Sequence, residues 1–314
     1  MIGLEGVARE VRKLRAEMAA VKRELGREED ELVFVGMADV AQFWWCAEKS
    51  VLNNREMELS FFCSLKDDVW DYSLWLGYRK EEETPSPSRL LELRERISFG
   101  DIERLLREER PPEREGSLAD LHIRILHSWL KGEIPSASIG AVRKAERLME
   151  RGAPPQEVLP LLGGVPPRLR GEILHYYAEQ YPTIRWNFDW REYIVVGVPD
   201  GIADRFVYEF KTSESLGFFR KWVWPVATAQ GDLYGRFFRR EEKRIQALLE
   251  REGRIETWQL RIDRKEALDT LERFRRVEKG EKDPAPPAEW KCRRCEFRWR
   301  CALRRGIGWR GPPS

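Results

Sequence analysis

Between Ile194 and Thr212 the chain runs Ile-Val-Val-Gly-Val-Pro-Asp-Gly-Ile-Ala-Asp-Arg-Phe-Val-Tyr-Glu-Phe-Lys-Thr, and this stretch limits the fold more than any other. Two β-rich runs flank the polar pair Asp204-Arg205, the pattern of a hairpin. Side chains at i and i+2 of a strand share a face, so Glu209 and Lys211 point the same way. A two-residue loop at Asp204-Arg205 pairs Ala203 with Phe206 and sets Asp200 opposite Glu209, so that both carboxylates and the lysine share a face. A three-residue loop would set Asp200 opposite Tyr208 and separate the carboxylates. Asp-Arg is not a favoured two-residue turn, which leaves both registers open. Facing carboxylates repel unless a proton or cation lies between them. Mg2+ and Mn2+ take oxygen ligands and keep positions for water and phosphate. A lysine beside such an ion can orient or deprotonate the attacking water and neutralise charge growing on a phosphorane. This is the chemistry of phosphodiester hydrolysis. The other reading of Glu209 and Lys211 is a solvated surface ion pair.

What surrounds this hairpin is long enough to build a sizeable core. At 314 residues the chain fits about two domains, or one with large insertions. Apolar residues make up 42% and aromatics 11%, which excludes global disorder. Charged residues reach 35%, but 56 Lys and Arg against 54 Asp and Glu leave a net charge of only +2. That excludes an acidic tail protein and a uniformly basic nucleic-acid coat. No apolar run approaches the ~18 residues of a membrane span and no signal peptide is visible, so a cytoplasmic protein with no membrane partner is expected. Three Asn and six Gln beside many Glu, Lys and Arg resemble the composition of a thermophile protein.

Four segments are expected, with an α/β fold class. Residues 1–31 hold an N-terminal heptad helix, because Leu4, Val7, Val11, Leu14, Met18, Val21 and Leu25 are spaced 3-4-3-4-3-4. Such a seam suits packing on the same chain, or a short coiled coil that joins a partner or makes a homo-oligomer through residues 4–25. Residues 32–82 open the main domain with a strand over 32–35 and a helix over 37–52. Residues 83–165 read as a helical insertion broken by Pro and Gly at 84–88, 111–112, 154–155 and 163–164. Its only evident chemistry is His122 and His127, on a helix starting at Ser117. Residues 166–314 turn to mixed α/β, with a helix over 168–180 and strands over 183–190, 192–202 and 206–212. A helix over 226–251, a strand over 254–262, a helix over 264–277 and a 284–287 linker then lead into a Cys-rich tail.

Cysteine usage points to a metal. Five Cys are too few for a disulfide framework in a chain this long, and their number is odd. Cys292, Cys295 and Cys301 follow a Cys-x2-Cys-x5-Cys pattern, so three thiolates can reach one centre, with a fourth from Cys46 or Cys63. Four thiolates suit a [4Fe-4S] cluster or tetrahedral zinc; spacing alone does not separate them, although the two-plus-two spacing of zinc ribbons is absent. Residues 291–314 also carry eight Lys and Arg against one Glu, interleaved with Phe297, Trp299 and Trp309. That suits single-stranded nucleic acid, through phosphate neutralisation and base stacking, or a solvated Arg-rich end whose aromatics pack on the metal centre.

Two further pairs complete the pattern. Gly171-Glu-Ile-Leu-His175 puts a His on the helix before the strands, and Gln230 and Tyr234, four apart, share one face of the helix after them. Gly-x3-His, Gly-x2-Asp, Glu-x-Lys and Gln-x3-Tyr, in this order, resemble the RecB-type branch of the PD-(D/E)xK nuclease superfamily. The cysteines resemble its iron–sulfur members, which include CRISPR-associated RecB-like exonucleases and AddB-type repair nucleases. The resemblance covers about 34–60 and 166–305 and leaves the N-terminal helix and the insertion unexplained. It implies a restriction-endonuclease-like mixed central sheet flanked by helices. The activity it implies is a metal-dependent DNA exonuclease acting on single strands or ends, with CRISPR adaptation or DNA repair proteins as partners. Asp200, Glu209, His175 and the Phe210 carbonyl would hold Mg2+ or Mn2+, Lys211 would be the catalytic lysine, and Gln230 and Tyr234 would position the DNA or the lysine. His122 and His127 lack a Gly four residues before them and fit the His position less well. Cys46, Cys292, Cys295 and Cys301 would hold a [4Fe-4S] cluster stapling the ends of the domain, which leaves Cys63 as a small buried hydrophobe. The other class of function open to the chain is a non-catalytic DNA-binding adaptor that keeps the fold and docks a partner through its N-terminal helix.

Overall fold

The computed structural model describes residues 4–78, 85–108, 136–281 and 287–301. His122, His127, the helix start at Ser117 and Trp309 lie outside the described residues. The architecture is α/β, two mixed sheets flanked by helices, and no helix among the described residues is long and apolar enough to cross a membrane.

Helix α1 (Leu4–Glu24) leads through Gly26 (φ +71°) into strand β1 (Phe34–Gly36). Only the second half of its heptad seam is well covered: Val21 is buried, Val11, Leu14 and Met18 are half-buried, and Val7 is 51% exposed. The covered end packs on its own chain, with α3 (Ala47–Trp75) and α4 (Pro87–Arg96) as neighbours. Next to Val21, the buried Lys22 ammonium donates to the Glu29 carbonyl at 3.0 Å, the Glu31 carbonyl at 2.6 Å and the Glu58 carboxylate at 2.9 Å. Glu58 also accepts the Val33 N–H at 2.7 Å, so one ion pair fastens α1, β1 and α3 together.

The helix expected over 37–52 is broken in two. Helix α2 (Met37–Ala41) is followed by a 3-10 turn (Gln42–Trp44), and Cys46, with φ −167° and ψ 118°, is the extended residue that precedes α3. Consecutive residues of a straight helix lie about 100° apart, so three neighbours cannot all face inward. Here Phe43 is buried, Trp44 donates its indole N–H to Thr270 Oγ1 at 3.0 Å, and Trp45 packs edge-on against Trp290.

Beyond α4, the structure adds helices α5 (Phe99–Arg107), α6 (Ser136–Glu150), α7 (Pro155–Val158) and α8 (Pro167–Leu174). The helix expected over 168–180 therefore stops early, and a 3-10 turn (His175–Tyr177) follows it. The first sheet has the order β1-β3-β2, in which β3 (Tyr193–Gly197) runs parallel to β1 and antiparallel to β2 (Trp186–Trp190). The single strand expected over 192–202 is interrupted because Pro199 has no N–H for a ladder. The chain passes there into a second sheet, β4-β5-β6-β7, so the one central sheet expected from sequence becomes two. Strand β4 (Gly201–Ile202) is antiparallel to β5 (Phe206–Ser213), which runs parallel to β6 (Glu242–Leu249) through helix α9 (Trp224–Phe237). Strand β7 (Arg254–Arg261) closes the sheet antiparallel to β6, and α10 (Arg264–Glu278) follows.

Strand β6 also corrects the helix expected over 226–251. Helix α9 ends at Phe237, Arg239 takes a left-handed φ of +55°, and the chain emerges extended. The apolar run at Ile245 and Ala247–Leu249 is compatible with a helix, but pairing with β5 on one side and β7 on the other satisfies the backbone of this buried strand.

Strand β5 lies between two cores. Val207 points into the larger one, with side chains of α3, α4, α5, α9 and α10; Tyr208 and Phe210 point into the other, with α6, α7 and α8. The described parts of the 83–165 segment are thus shared out, α4 and α5 to the first core and α6 and α7 to the second. Lys22→Met leaves the Glu58 carboxylate paired with nothing but backbone N–H groups at a site only 12% exposed. It should therefore lower stability by about 3–5 kcal/mol in urea or thermal unfolding, and adding Glu58→Gln should recover part of the loss.

Candidate active site and cysteine cavity

The β4–β5 hairpin has the two-residue loop. Gly201 pairs with Tyr208, Ile202 with Val207, and the Ala203 N–H donates to the Phe206 carbonyl at 2.9 Å, which leaves Asp200 across from Glu209. Glu209 is 1% exposed; its Oε1 is bonded by Lys211, and its Oε2 has no hydrogen-bond partner. This is a buried ion pair, unlike a solvated pair on a surface. Asp200, in the bend before β4, lays its carboxylate along the edge of β5. Its Oδ2 accepts the Phe210 N–H at 2.8 Å and its Oδ1 lies 3.3 Å from His175 Nε2. The N–H and C=O of an extended residue leave the strand on the same side, so the Phe210 carbonyl faces this edge too.

Both glycines of the motif act by removing bulk. A Cβ on Gly171 would sit 3.1 Å from Thr212 Oγ1, so glycine lets α8 approach β5 and brings His175, one turn on, to Asp200. A Cβ on Gly197 would sit 2.7 Å from Met37 Sδ and 2.9 Å from the Phe238 ring, so glycine seats the end of β3 against α2 just before Asp200. Behind Glu209, α9 presents Gln230 and Tyr234, both buried, with the Gln230 amide donating to the phenol oxygen at 3.2 Å.

The charges are strongly coupled. Burial, reinforced by Asp200, pushes Glu209 up to about 8, and Lys211 offsets only part of this. Burial acts the same way on Asp200, but His175, Lys211 and the Phe210 N–H outweigh it and hold Asp200 below the usual carboxylate range. The hydrogen bond that His175 donates to Asp200 raises His175. Burial works against the Lys211 ammonium, yet Glu209 and Asp200 keep it charged. Tyr234 is driven far up by burial and then by Glu209, so it stays a neutral phenol. Of the two carboxylates Glu209 is therefore the one that takes up a proton more readily.

Among the described residues, no three His, Cys, Asp or Glu side chains stand close enough to enclose an ion as placed. The donor chemistry nonetheless fits a divalent cation: two carboxylates across a hairpin, a buried and unpartnered Oε2, a strand-edge carbonyl and an imidazole.

The four cysteines Cys46, Cys292, Cys295 and Cys301 line one cavity of about 700 Å3. Cys46 comes from the corner before α3, Cys292 from α11 (Glu289–Arg293) and the other two from the turns after it. All five cysteines are free thiols. Cys63 does not line the cavity; it is half-buried against the larger core, beside Lys66 and Asp67. Burial pushes Cys46 up to about 11, the Lys49 N–H opposes this, and the other three thiols add to it. The same cavity reaches Lys211 and Thr212 on β5, so it runs from the tail to the lysine beside Glu209. Within the tail, Phe297 is buried and Trp299 is 54% exposed.

Sequence reasoning passes over several residues here. Trp45, Trp222 and Trp290 form an aromatic wall, with Phe218 against Trp290. Its signal was present in Phe218-Phe-Arg-Lys-Trp-Val-Trp224, which includes a π-helical turn (Phe219–Val223) leading into α9. Asp39 on α2, bonded by Asn53 and raised by burial, is a third carboxylate whose charge reaches Tyr234.

No family model matches the chain, and no curated protein matches it. A solved structure described as "Crystal structure of SSO0001" is similar at 17% identity over 61% of this chain and 99% of that one, with a TM-score of 0.36. A likeness of that degree defines neither the fold nor the activity.

Because burial and Asp200 push Glu209 up to about 8, a cation binding there competes with a proton. Mn2+ affinity should rise with pH up to about 8, and calorimetry in buffers of different ionisation enthalpy should show proton release on binding. Glu209→Gln should remove both effects. In Asp200→Asn the His175 pKa should fall, because the partner favouring the imidazolium is gone; NMR titration of the ring reads this directly.

Proposed function

We propose that this chain is a metal-dependent nuclease that hydrolyses the phosphodiester bonds of DNA, built on a restriction-endonuclease-like core and closed by a thiolate-held [4Fe-4S] cluster. The observation that carries this reading is the buried Glu209 carboxylate, one oxygen on Lys211 and the other on nothing, set across a hairpin from Asp200. A buried, half-satisfied carboxylate facing a second one is costly, and a shared divalent cation removes the cost. Asp200 and Glu209, with the Phe210 carbonyl and His175, would hold Mg2+ or Mn2+. When bound, the ion supplies an activated water and neutralises charge at the phosphoryl group.

The side chains around it divide the remaining work. Lys211 stays charged and opens onto the cavity, where its ammonium can stabilise negative charge developing on phosphoryl oxygens. Asp200 keeps the His175 ring oriented through Nε2. Gln230 and Tyr234 hold each other as a neutral polar pair on the α9 side of Glu209. The Cys46, Cys292, Cys295 and Cys301 thiols fit a tetrathiolate centre because they alone among the five cysteines line one cavity. A [4Fe-4S] cluster there supplies a covalent staple between residues more than 240 positions apart, and the part of the chain itself is to bring the corner before α3 to the tail.

The test is digestion of end-labelled single- and double-stranded DNA with Mg2+ or Mn2+ by anaerobically purified chain. Asp200→Ala and Glu209→Ala should abolish cleavage by removing metal affinity, with the absorbance near 400 nm retained. Lys211→Ala should bind metal and DNA but turn over about 10²–10³-fold more slowly. Wild-type chain with intact metal centres that cuts no DNA fails the nuclease reading and leaves a DNA-binding adaptor. Cys46→Ala should lose iron and melt at lower temperature, whereas Cys63→Ala should keep its iron. Zinc in place of iron on metal analysis would convert the staple to a zinc site.

A further inference from the structure

We infer that Lys291 is the counter-cation of the four-thiol centre, a buried ammonium caged by three tryptophans that stabilises the negative charge of the centre and tunes its reduction potential. This rests on the tetrathiolate reading above. Lys291 precedes Cys292 in the chain, and its Nζ donates at 3.0 Å to the carbonyl of Trp45, the residue before Cys46. One ammonium thus touches both strands of chain that bring the thiols together. The Nζ stands 4.2 Å from the ring centre of Trp45, 4.5 Å from Trp222 and 6.0 Å from Trp290. The rings pack edge-on against one another, Trp45 with Trp290 at 5.5 Å and Trp222 with Trp290 at 5.4 Å. Lys291 is only 8% exposed, on the wall of the cavity that the four cysteines line.

Taking an ammonium out of water is unfavourable unless an anion or several acceptors replace the water. One carbonyl and the faces of three indoles replace part of it. Among the described residues no carboxylate forms an ion pair with Lys291. The two acidic side chains on this wall are engaged elsewhere, Glu289 with Arg293 at 2.9 Å and Glu296 with Lys49 at 3.0 Å. What remains to balance the ammonium is the thiols. Four thiolates give either an iron–sulfur cluster or a zinc ion a net negative charge, and a fixed cation beside it favours both deprotonated ligands and a reduced cluster. In keeping with this, burial depresses Lys291, and Cys46 and Cys292 push it back up.

The experiment compares full-length wild type, Lys291→Met and Lys291→Arg, each purified anaerobically, with Lys291→Gln in place of the Met variant if that does not fold. Two quantities are read: the rate at which metal passes to a chelator, and, for iron, the midpoint potential in a mediated titration with dithionite as reductant. Lys291→Met should lose metal about tenfold faster and shift the potential to more negative values, while Lys291→Arg stays near wild type in both. A Met variant that matches wild type, or an Arg variant as impaired as the Met one, overturns the counter-cation. Wild-type chain with no metal on its thiols refutes the tetrathiolate reading and the counter-cation with it. An intact wild-type centre indifferent to Lys291→Met refutes the counter-cation alone.

Discussion

Burying one carboxylate on the strand between two cores sets the terms for the site. Glu209 lies on the face of β5 that meets α9, while Tyr208 and Phe210 on the reverse face fill the second core. Alternation leaves the strand no way to turn Glu209 outward without turning Tyr208 and Phe210 out of their core. The charge is accommodated instead. Lys211 takes one oxygen, Asp200 is held away on the strand edge by His175 and the Phe210 N–H, and Gln230 and Tyr234 close the back. These groups come from β5 itself, the bend before β4, the turn after α8 and α9, so the packing of α8, α9 and the hairpin on β5 is what makes the cluster.

The second constraint is where the tail returns. Residues 287–301 come back to the corner between α2 and α3, held there by Lys291 on the Trp45 carbonyl, Lys49 on Glu296 and Arg300 on Glu56. That docking closes a cavity whose walls are the cysteines and tryptophans on one side and the end of β5 on the other. The thiols and the Lys211 side chain thereby open on the same space.

Much of the candidate site was legible because it lies in short-range patterns. Glu209 and Lys211 are two apart on a strand, Gln230 and Tyr234 four apart on a helix, and Gly171 stands one helical turn before His175; each spacing projects residues to one face whatever surrounds them. The places where the reading failed are those where local pattern permits two outcomes. Residues 242–249 could extend a helix or form a strand, and strands on either side decide for the strand. Residues 37–52 could be one helix, but Phe43, Trp44 and Trp45 need three inward directions that a straight helix does not offer.

The sequence by itself determined the hairpin pattern with Asp200, Glu209 and Lys211, the one-turn spacing of Gly171 and His175, the helix face shared by Gln230 and Tyr234, and the three-thiol tail, because those depend on residue type and on short spacings. Tertiary structure alone decided that the hairpin takes the two-residue register and that Pro199 divides one sheet into two. It also decided that Lys22 and Lys291 are buried charges. Those outcomes depend on which surfaces meet in the folded chain, and burial, which fixes both the cost of a charge and the choice of its partner, exists only once they have met.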